Sequence, residues 1–146
     1  MDQRNFTLLH VKEIPFKMNL DATNITDAEK KRLGIGFLFV IQYQKNNEAS
    51  AIHVVVRLSL DESVILEGGT TFVFKSAIWN EMPHDETSVR NSGFARELIG
   101  YVLPFVNGVM TVRLQDTKLH DLILPVIDTS DLVANIKVEE VPQQGV

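Results

Sequence analysis

The sequence predicts an α+β fold, an antiparallel sheet of four strands followed by a long helix and a short C-terminal helix. Three observations lead to this prediction. Apolar residues alternate with period two through most of the first half of the chain. The spacing changes to three and four residues between Phe94 and Val112, which is typical of a helix. Polar linkers separate the strands, so an antiparallel meander is the simplest topology.

Length and composition predict one globular domain. The chain has 146 residues, of which 45% are hydrophobic and 23% charged, close to the globular average. We expect a single domain over residues 1–141 and a flexible tail over residues 142–146. The formal net charge of −5 disfavours nucleic acid and anionic membranes as partners, because both are bound through basic patches.

The sequence contains no cysteine, which excludes disulfides and a catalytic thiol. Its N-terminal residues lack the basic start and apolar run of a signal peptide. No stretch approaches the length of about 18 apolar residues that a membrane span requires. We therefore expect a cytoplasmic protein.

The first strand is predicted from Asn5 to Leu20, with a change of face inside it. His10 and Lys12 fall on the side that is otherwise apolar, and a strand can change sides only through a bulge or bend. Pro15 agrees with this interpretation, because proline cannot donate to a strand ladder and lies at edges or bulges.

Three more strands follow along the chain. They are predicted at Gly36–Gln44, Ile52–Leu60 and Val64–Lys75, and the last two are close enough to form a hairpin. Gly68 and Gly69 interrupt the last strand and indicate a bulge rather than a phosphate-binding loop.

The long helix is apolar on two sides. The first stripe, expected to pack on the sheet, is Phe94, Leu98, Tyr101, Phe105, Val109 and Val112. The second stripe is Ile99, Val102, Val106 and Met110. One sheet covers one stripe, so the second is predicted to form an interface between copies of the chain. Pro104 should kink the helix, because it removes a backbone hydrogen bond.

Beyond the helix, Leu122–Ile127 is predicted to be an extended apolar segment, because it is short and contains a proline. Asp128 is a suitable N-cap for a short helix that runs to about Ile136.

No catalytic pattern is evident, so we expect a binding protein that is not an enzyme and needs neither metal nor cofactor. The histidines, which are His10, His53, His84 and His120, show no metal-ligand spacing. Trp79 is open to two interpretations, a core residue or the wall of a binding groove. An enzyme or small-ligand binder would find support only in these residues.

Side-chain parity predicts one charged surface. Glu13, Ile65 and Glu67 fall on the polar sides of their strands. If the first and fourth strands are neighbours, these residues would form an exposed acidic patch with an apolar centre. The alternative is an ordinary solvated sheet face that carries one isoleucine.

The order of elements and several short motifs resemble the SecB export-chaperone family. The motifs are HVKEIPF at His10–Phe16, VVVRL at Val54–Leu58, Ile65-x-Glu67 with Val73-Phe74, FARE at Phe94–Glu97, and LPV at Leu124–Val126. The resemblance covers roughly residues 4 to 136.

This resemblance implies a tetramer, a dimer of dimers with the long helices at the interface, formed here by Ile99, Val102, Val106 and Met110. It implies that unfolded precursor polypeptides are held in apolar grooves for protein export. The residues at or near the groove are Phe74, Trp79, Phe94, Leu122, Ile123, Leu124 and Val126. The surface for the translocase motor would be Glu13, Ile65 and Glu67.

Two departures from the family open a second hypothesis. Lys17 stands where the family has an acidic residue, and the stretch between the helix start and Leu124 is longer than in the family. These differences put delivery to the motor in question. The alternative is a SecB-fold adaptor that binds one defined partner, for example an antitoxin or a phage protein.

Overall fold

The computed structural model describes residues 5–19, 25–122 and 128–142. The strands are β1 Thr7–Met18, β2 Gly34–Tyr43, β3 Ala49–Leu60, β4 Ser63–Lys75 and β5 Ile136–Glu140. The helices are α1 Asp27–Lys30, α2 Ala77–Glu81, α3 Glu86–Arg90, α4 Gly93–Leu114 and α5 Thr129–Leu132. The predicted α+β class, with its long helix and short C-terminal helix, is confirmed.

The strands form one sheet in the order β1-β4-β3-β2-β5. β2, β3 and β4 are joined as the predicted antiparallel meander. The prediction is wrong for β1, which pairs with β4 and not with β2. β5 was not predicted and lies parallel to β2. A long connection that contains α1 therefore carries the chain across the sheet from β1 to β2.

The change of face predicted for β1 occurs at a bulge. Leu8 lies opposite Phe74, and His10 lies opposite Val73, so Leu9 is an extra residue in β1. The bulge restores the alternation after the interruption that the sequence shows.

A second bulge in β1 lies at Pro15, between Ile14 and Lys17, as the sequence predicts. Gly68 and Gly69 lie opposite it, but they keep a continuous register with β3. The bulge predicted at the two glycines is therefore in the neighbouring strand β1. β4 has an irregularity of its own in its pairing with β3, where Ile65 is an extra residue.

The two glycines allow close packing on both sides of β4. A Cβ on Gly68 would lie 2.8 Å from the Met110 sulfur and 3.1 Å from the Phe16 ring. A Cβ on Gly69 would overlap the carbonyl oxygen of Val54. At Gly69 the obstacle is backbone, so only glycine permits this approach, whereas at Gly68 the neighbouring side chains would have to move.

α4 covers one face of the sheet. The helix begins after Ser92, whose hydroxyl accepts a hydrogen bond from the Ala95 amide at 3.2 Å. It continues through Pro104 to Leu114. Its buried residues are Phe94, Ala95, Leu98, Ile99, Val102, Leu103, Val106, Met110 and Leu114. In the described part of the chain, no helix combines the length and hydropathy needed to cross a membrane.

The C-terminal elements return the chain to the sheet. Asp128 caps α5 by accepting a hydrogen bond from the Ser130 amide at 2.9 Å, as predicted. A 3-10 turn over Val133–Asn135 follows, and the chain enters β5 at Ile136. The predicted helix thus ends before Ile136, which is fully buried as the first residue of β5.

Candidate protein-binding surface

One of the two apolar stripes of α4 is exposed. The exposed fractions are 45% for Tyr101, 50% for Phe105 and 70% for Val112. The four residues predicted to form an oligomer interface, Ile99, Val102, Val106 and Met110, are instead between 0 and 1% exposed. That prediction is wrong for the single chain, because the second stripe packs on the sheet. In the first stripe, Tyr101, Phe105 and Val112 are exposed and Val109 is half-buried.

The exposed stripe runs beside the edge strand β1. The Tyr101 ring lies 5.4 Å from the Phe6 ring, just before β1, in an edge-to-face contact. The Phe105 ring lies 5.5 Å from that of Phe72, whose partner in β1 is the 40% exposed Val11. The α4–β1 face is the name we use for Val11, Tyr101, Pro104, Phe105, Gly108, Val109 and Val112.

Part of the α4–β1 face forms a shallow groove of about 500 Å³. Its charged residues are Glu13 and Arg113, which form a salt bridge at 2.5 Å. The hydrogen bonds donated by Arg113 hold the pKa of Glu13 below its ordinary value. Because this pair neutralises itself, the groove offers apolar surface without a net charge that would select a partner.

Val11 and Arg113 belong to this surface but are not among the site residues predicted from the sequence. The signal for Val11 was present, because the bulge before it turns its side chain to the same side of the sheet as Phe72. For Arg113 no local signal exists, because its partner Glu13 is 100 residues away in the sequence.

Three residues predicted for the client groove lie in the interior of the single chain. The exposed fraction is 0% for Phe74 and Trp79 and 4% for Phe94. The indole nitrogen of Trp79 donates a hydrogen bond to the Ser50 hydroxyl at 2.8 Å, and the His84 ring stacks on the indole at 4.0 Å. Of the two interpretations of Trp79, the structure shows the core residue.

The remaining predicted groove residues belong to the segment after α4. Leu122 is partly buried and packs against the core. Ile123, Leu124 and Val126 lie outside the described residues.

The predicted acidic patch is not formed. Glu13 lies opposite the buried Thr70 and contacts α4, so it is on the helix side of the sheet. Glu67 is on the other side, where it lies opposite Lys17 and binds Arg57 at 2.8 Å. Ile65, the expected apolar centre, is only 3% exposed.

The side of the sheet away from α4 carries a polar network. The His53 ring nitrogens lie 2.7 Å from the Thr71 hydroxyl and 2.7 Å from the Gln42 amide oxygen. The Gln42 amide nitrogen donates to the Glu139 carboxylate at 3.1 Å. The Gln42 oxygen therefore accepts from Nε2–H of His53, and Nδ1 accepts from Thr71. Burial lowers the pKa of His53, and the Glu139 charge raises it to a smaller extent, which agrees with a neutral ring.

No group of three or more histidine, aspartate or glutamate side chains converges as a metal site among the described residues.

Comparison with known proteins gives remote structural likenesses. No known family matches the sequence, and no curated protein matches it. A solved structure of the Mycobacterium tuberculosis SecB-like chaperone, in complex with a ChAD peptide from the HigA1 antitoxin, is similar with a TM-score of 0.34 and 12% sequence identity. The similar region covers 85% of this chain and 88% of that chain. At this identity and TM-score the likeness assigns neither a family nor a function.

Proposed function

We propose that this chain is a SecB-like holding chaperone, which binds apolar segments of unfolded polypeptides on the α4–β1 face and so prevents their aggregation. The observation that carries the proposal is the exposure of Tyr101, Phe105 and Val112 along one helix, beside the exposed Val11 of β1. The proposed activity is binding in the cytoplasm, without catalysis and without a cofactor.

The chemistry of this face suits many clients. Apolar burial is non-directional and contributes about 25 cal/mol per Å² of area removed from water, so such a surface binds without reading a sequence. The face also adjoins an edge strand, because β1 is the last strand on its side of the sheet among the described residues. An extended client segment could add backbone hydrogen bonds to this edge.

The proposal includes self-association through the same face. Pro104 and Gly108 are exposed one helical turn apart, and a Cβ on Gly108 would meet nothing within 4 Å. The absence of bulky side chains there permits close approach of a second helix. Two copies that cover this face would compete with clients, so the dimer is expected to dissociate when a client binds.

A second candidate function is a SecB-fold adaptor that binds one defined partner. Lys17 opposite Glu67, and Glu13 on the other side of the sheet, favour this candidate over delivery to a translocase motor. An acidic motor-binding surface would need Glu13 and Glu67 on the same side of the sheet, with no lysine beside them.

Aggregation of a chemically unfolded, slow-folding client tests the first proposal. Dilution of the client into stoichiometric chaperone, followed by light scattering, is expected to give less scattering than dilution into an inert protein of equal concentration. Unchanged scattering would remove the chaperone proposal. A pull-down then separates the candidates, because a chaperone enriches many unrelated unfolded chains and an adaptor enriches one partner.

A further inference from the structure

A second hollow lies at the edge of the sheet remote from β1, and its chemistry is opposite to that of the α4–β1 face. It has a volume of about 380 Å³ and lies beside Gly36 of β2. Three cationic side chains reach it from three elements: Arg57 from β3, Arg90 from α3 and Lys137 from β5. Glu67 pairs with Arg57 and Glu86 with Arg90, so the excess of positive charge at the hollow comes from Lys137.

The two arginines are fixed in place by contacts that leave donors over. Arg57 uses Nε to bind Glu67 at 2.8 Å. Arg90 donates from Nε to the carbonyl oxygen of Ile136 at 2.9 Å and from Nη2 to Glu86 at 3.3 Å. Each guanidinium has five N–H donors, so these contacts orient the groups without exhausting them.

The charge of Lys137 differs from those of the two arginines, because no carboxylate of the described residues pairs with it. Within residues 5–19, 25–122 and 128–142 its ammonium group forms no salt bridge, and its side chain is exposed. It lies opposite Val40 in the parallel β2–β5 pairing, on the same side of the sheet as Arg57, which lies opposite Gly36.

The hollow has room for a bound side chain because Gly36 carries none of its own. A Cβ built on this residue would meet nothing within 4 Å, so a side chain would fit there without displacing its neighbours. Packing therefore does not require a glycine at this position, in contrast to Gly69.

Part of the edge of β2 beside the hollow is open to strand pairing. β5 pairs with β2 only from Phe39 to Tyr43. Before Phe39 the chain of β5 has turned away, and Asn135 donates from its side-chain amide to the Phe37 carbonyl at 3.2 Å. Gly34–Leu38 thus has a strand partner on the β3 side alone among the described residues.

We propose that this hollow is a carboxylate site that binds an acidic side chain of an extended polypeptide lying beside Gly34–Leu38 of β2. The strand edge supplies backbone hydrogen bonds, and Lys137, together with the remaining donors of the two arginines, selects a carboxylate over a neutral or basic side chain. The inference rests on the proposed function only in that the chain binds polypeptide, and it adds a chemical preference that the neutral α4–β1 face does not have.

Fluorescence anisotropy with a short labelled peptide tests the site. The peptide alternates valine and glutamate and is acetylated and amidated, so that only side chains supply carboxylates. A second peptide carries glutamine in place of glutamate. The glutamate peptide is expected to bind about tenfold more tightly, as for a charge-assisted contact, and to weaken with added salt.

Two variants and one control locate the binding. Lys137→Gln removes the uncompensated charge, and Gly36→Val fills the hollow; each is expected to reduce the affinity for the glutamate peptide about tenfold. Lys31→Gln makes the same change in net charge at the end of α1 and should leave the affinity unchanged. Circular dichroism and thermal unfolding establish that each variant is folded.

Equal binding of the two peptides would overturn the inference, as would equal losses in Lys137→Gln and Lys31→Gln. The carboxylate site and the proposed chaperone function can fail separately. If client aggregation is not suppressed but the glutamate peptide still binds at Gly36, the carboxylate site stands and the chaperone proposal does not.

Discussion

Arg113 of α4 binds Glu13 of β1 through two hydrogen bonds, from Nε to Oε1 at 2.5 Å and from Nη2 to Oε2 at 2.6 Å. Such a bidentate contact fixes both distance and orientation. It joins the last turn of the helix to the outermost strand beside the apolar groove. The pair thus adds a polar contact between α4 and β1 to the packing of the buried residues that hold the helix on the sheet.

Removal of the pair should loosen β1. In Arg113→Gln, the amides of β1 are expected to exchange with deuterium faster than in the wild type, because among the described residues β1 has a strand neighbour on one side, at β4. The double variant Glu13→Arg with Arg113→Glu, which restores the pair in reverse, should recover slow exchange. If both variants exchange at the wild-type rate, the contact does not position the strand.

Exposed and buried valines of α4 should respond differently to the same change. Val112→Ser, at a position that is 70% exposed, should leave the free energy of unfolding within about 0.5 kcal/mol of the wild type but weaken client holding. Val106→Ser, at a position with 0% exposure, should cost about 2 kcal/mol or more. Urea unfolding and client light scattering measure the two effects. A Val112→Ser variant that holds clients as well as the wild type would argue against the α4–β1 face.

The features that the sequence predicts correctly are local ones. The bulge at Leu9 follows from a break in parity within one strand, and the start of α4 follows from the change of apolar spacing at Phe94. Each depends on residues a few positions apart. The same holds for the cap at Asp128.

The features that the sequence does not predict depend on contacts between distant elements. Both stripes of α4 are apolar, so periodicity does not say which stripe faces the sheet. The side that is buried depends on where the helix lies relative to β1, and hence on contacts such as Phe6 with Tyr101. β5 shows alternation at Ile136 and Val138, but its parallel pairing with β2 requires the intervening helices to bring it back to that edge.

Gly69 should not tolerate a side chain. Gly69→Ala places a methyl group against the Val54 carbonyl and is expected to lower the free energy of unfolding by at least about 3 kcal/mol. Gly36→Ala is the matched control, since its methyl group meets nothing within 4 Å, and it should raise stability by about 0.5 kcal/mol through the unfolded chain. Thermal and urea unfolding report both. Similar stabilities for the two variants would contradict the tight packing between β4 and β3.

The hydroxyl groups of the adjacent residues Thr70 and Thr71 differ in their hydrogen bonding, so the same substitution should change stability in opposite directions. The Thr70 hydroxyl is buried without a hydrogen-bond partner among the described residues, so Thr70→Val should raise the free energy of unfolding by about 1 kcal/mol. The Thr71 hydroxyl lies 2.7 Å from Nδ1 of His53, so Thr71→Val should lower stability instead. Urea unfolding of the two variants, which make the same chemical change, is the measurement. A gain in Thr71→Val equal to that in Thr70→Val would show that strand propensity, and not hydrogen bonding, controls both.

His53 should make the protein less stable in mild acid. Its pKa in the folded chain is lowered from the ordinary value of 6.5, mainly by burial, so the unfolded chain takes up a proton first as the pH falls. The contribution of the neutral ring to stability is complete above pH 6.5 and is lost as the pH falls from there through the lowered pKa. Urea unfolding between about pH 7.5 and pH 5 should show this decline, and His53→Gln should reduce the slope. His10→Gln, at an exposed position, should keep the wild-type slope. A slope that persists in His53→Gln would assign the decline to groups other than His53.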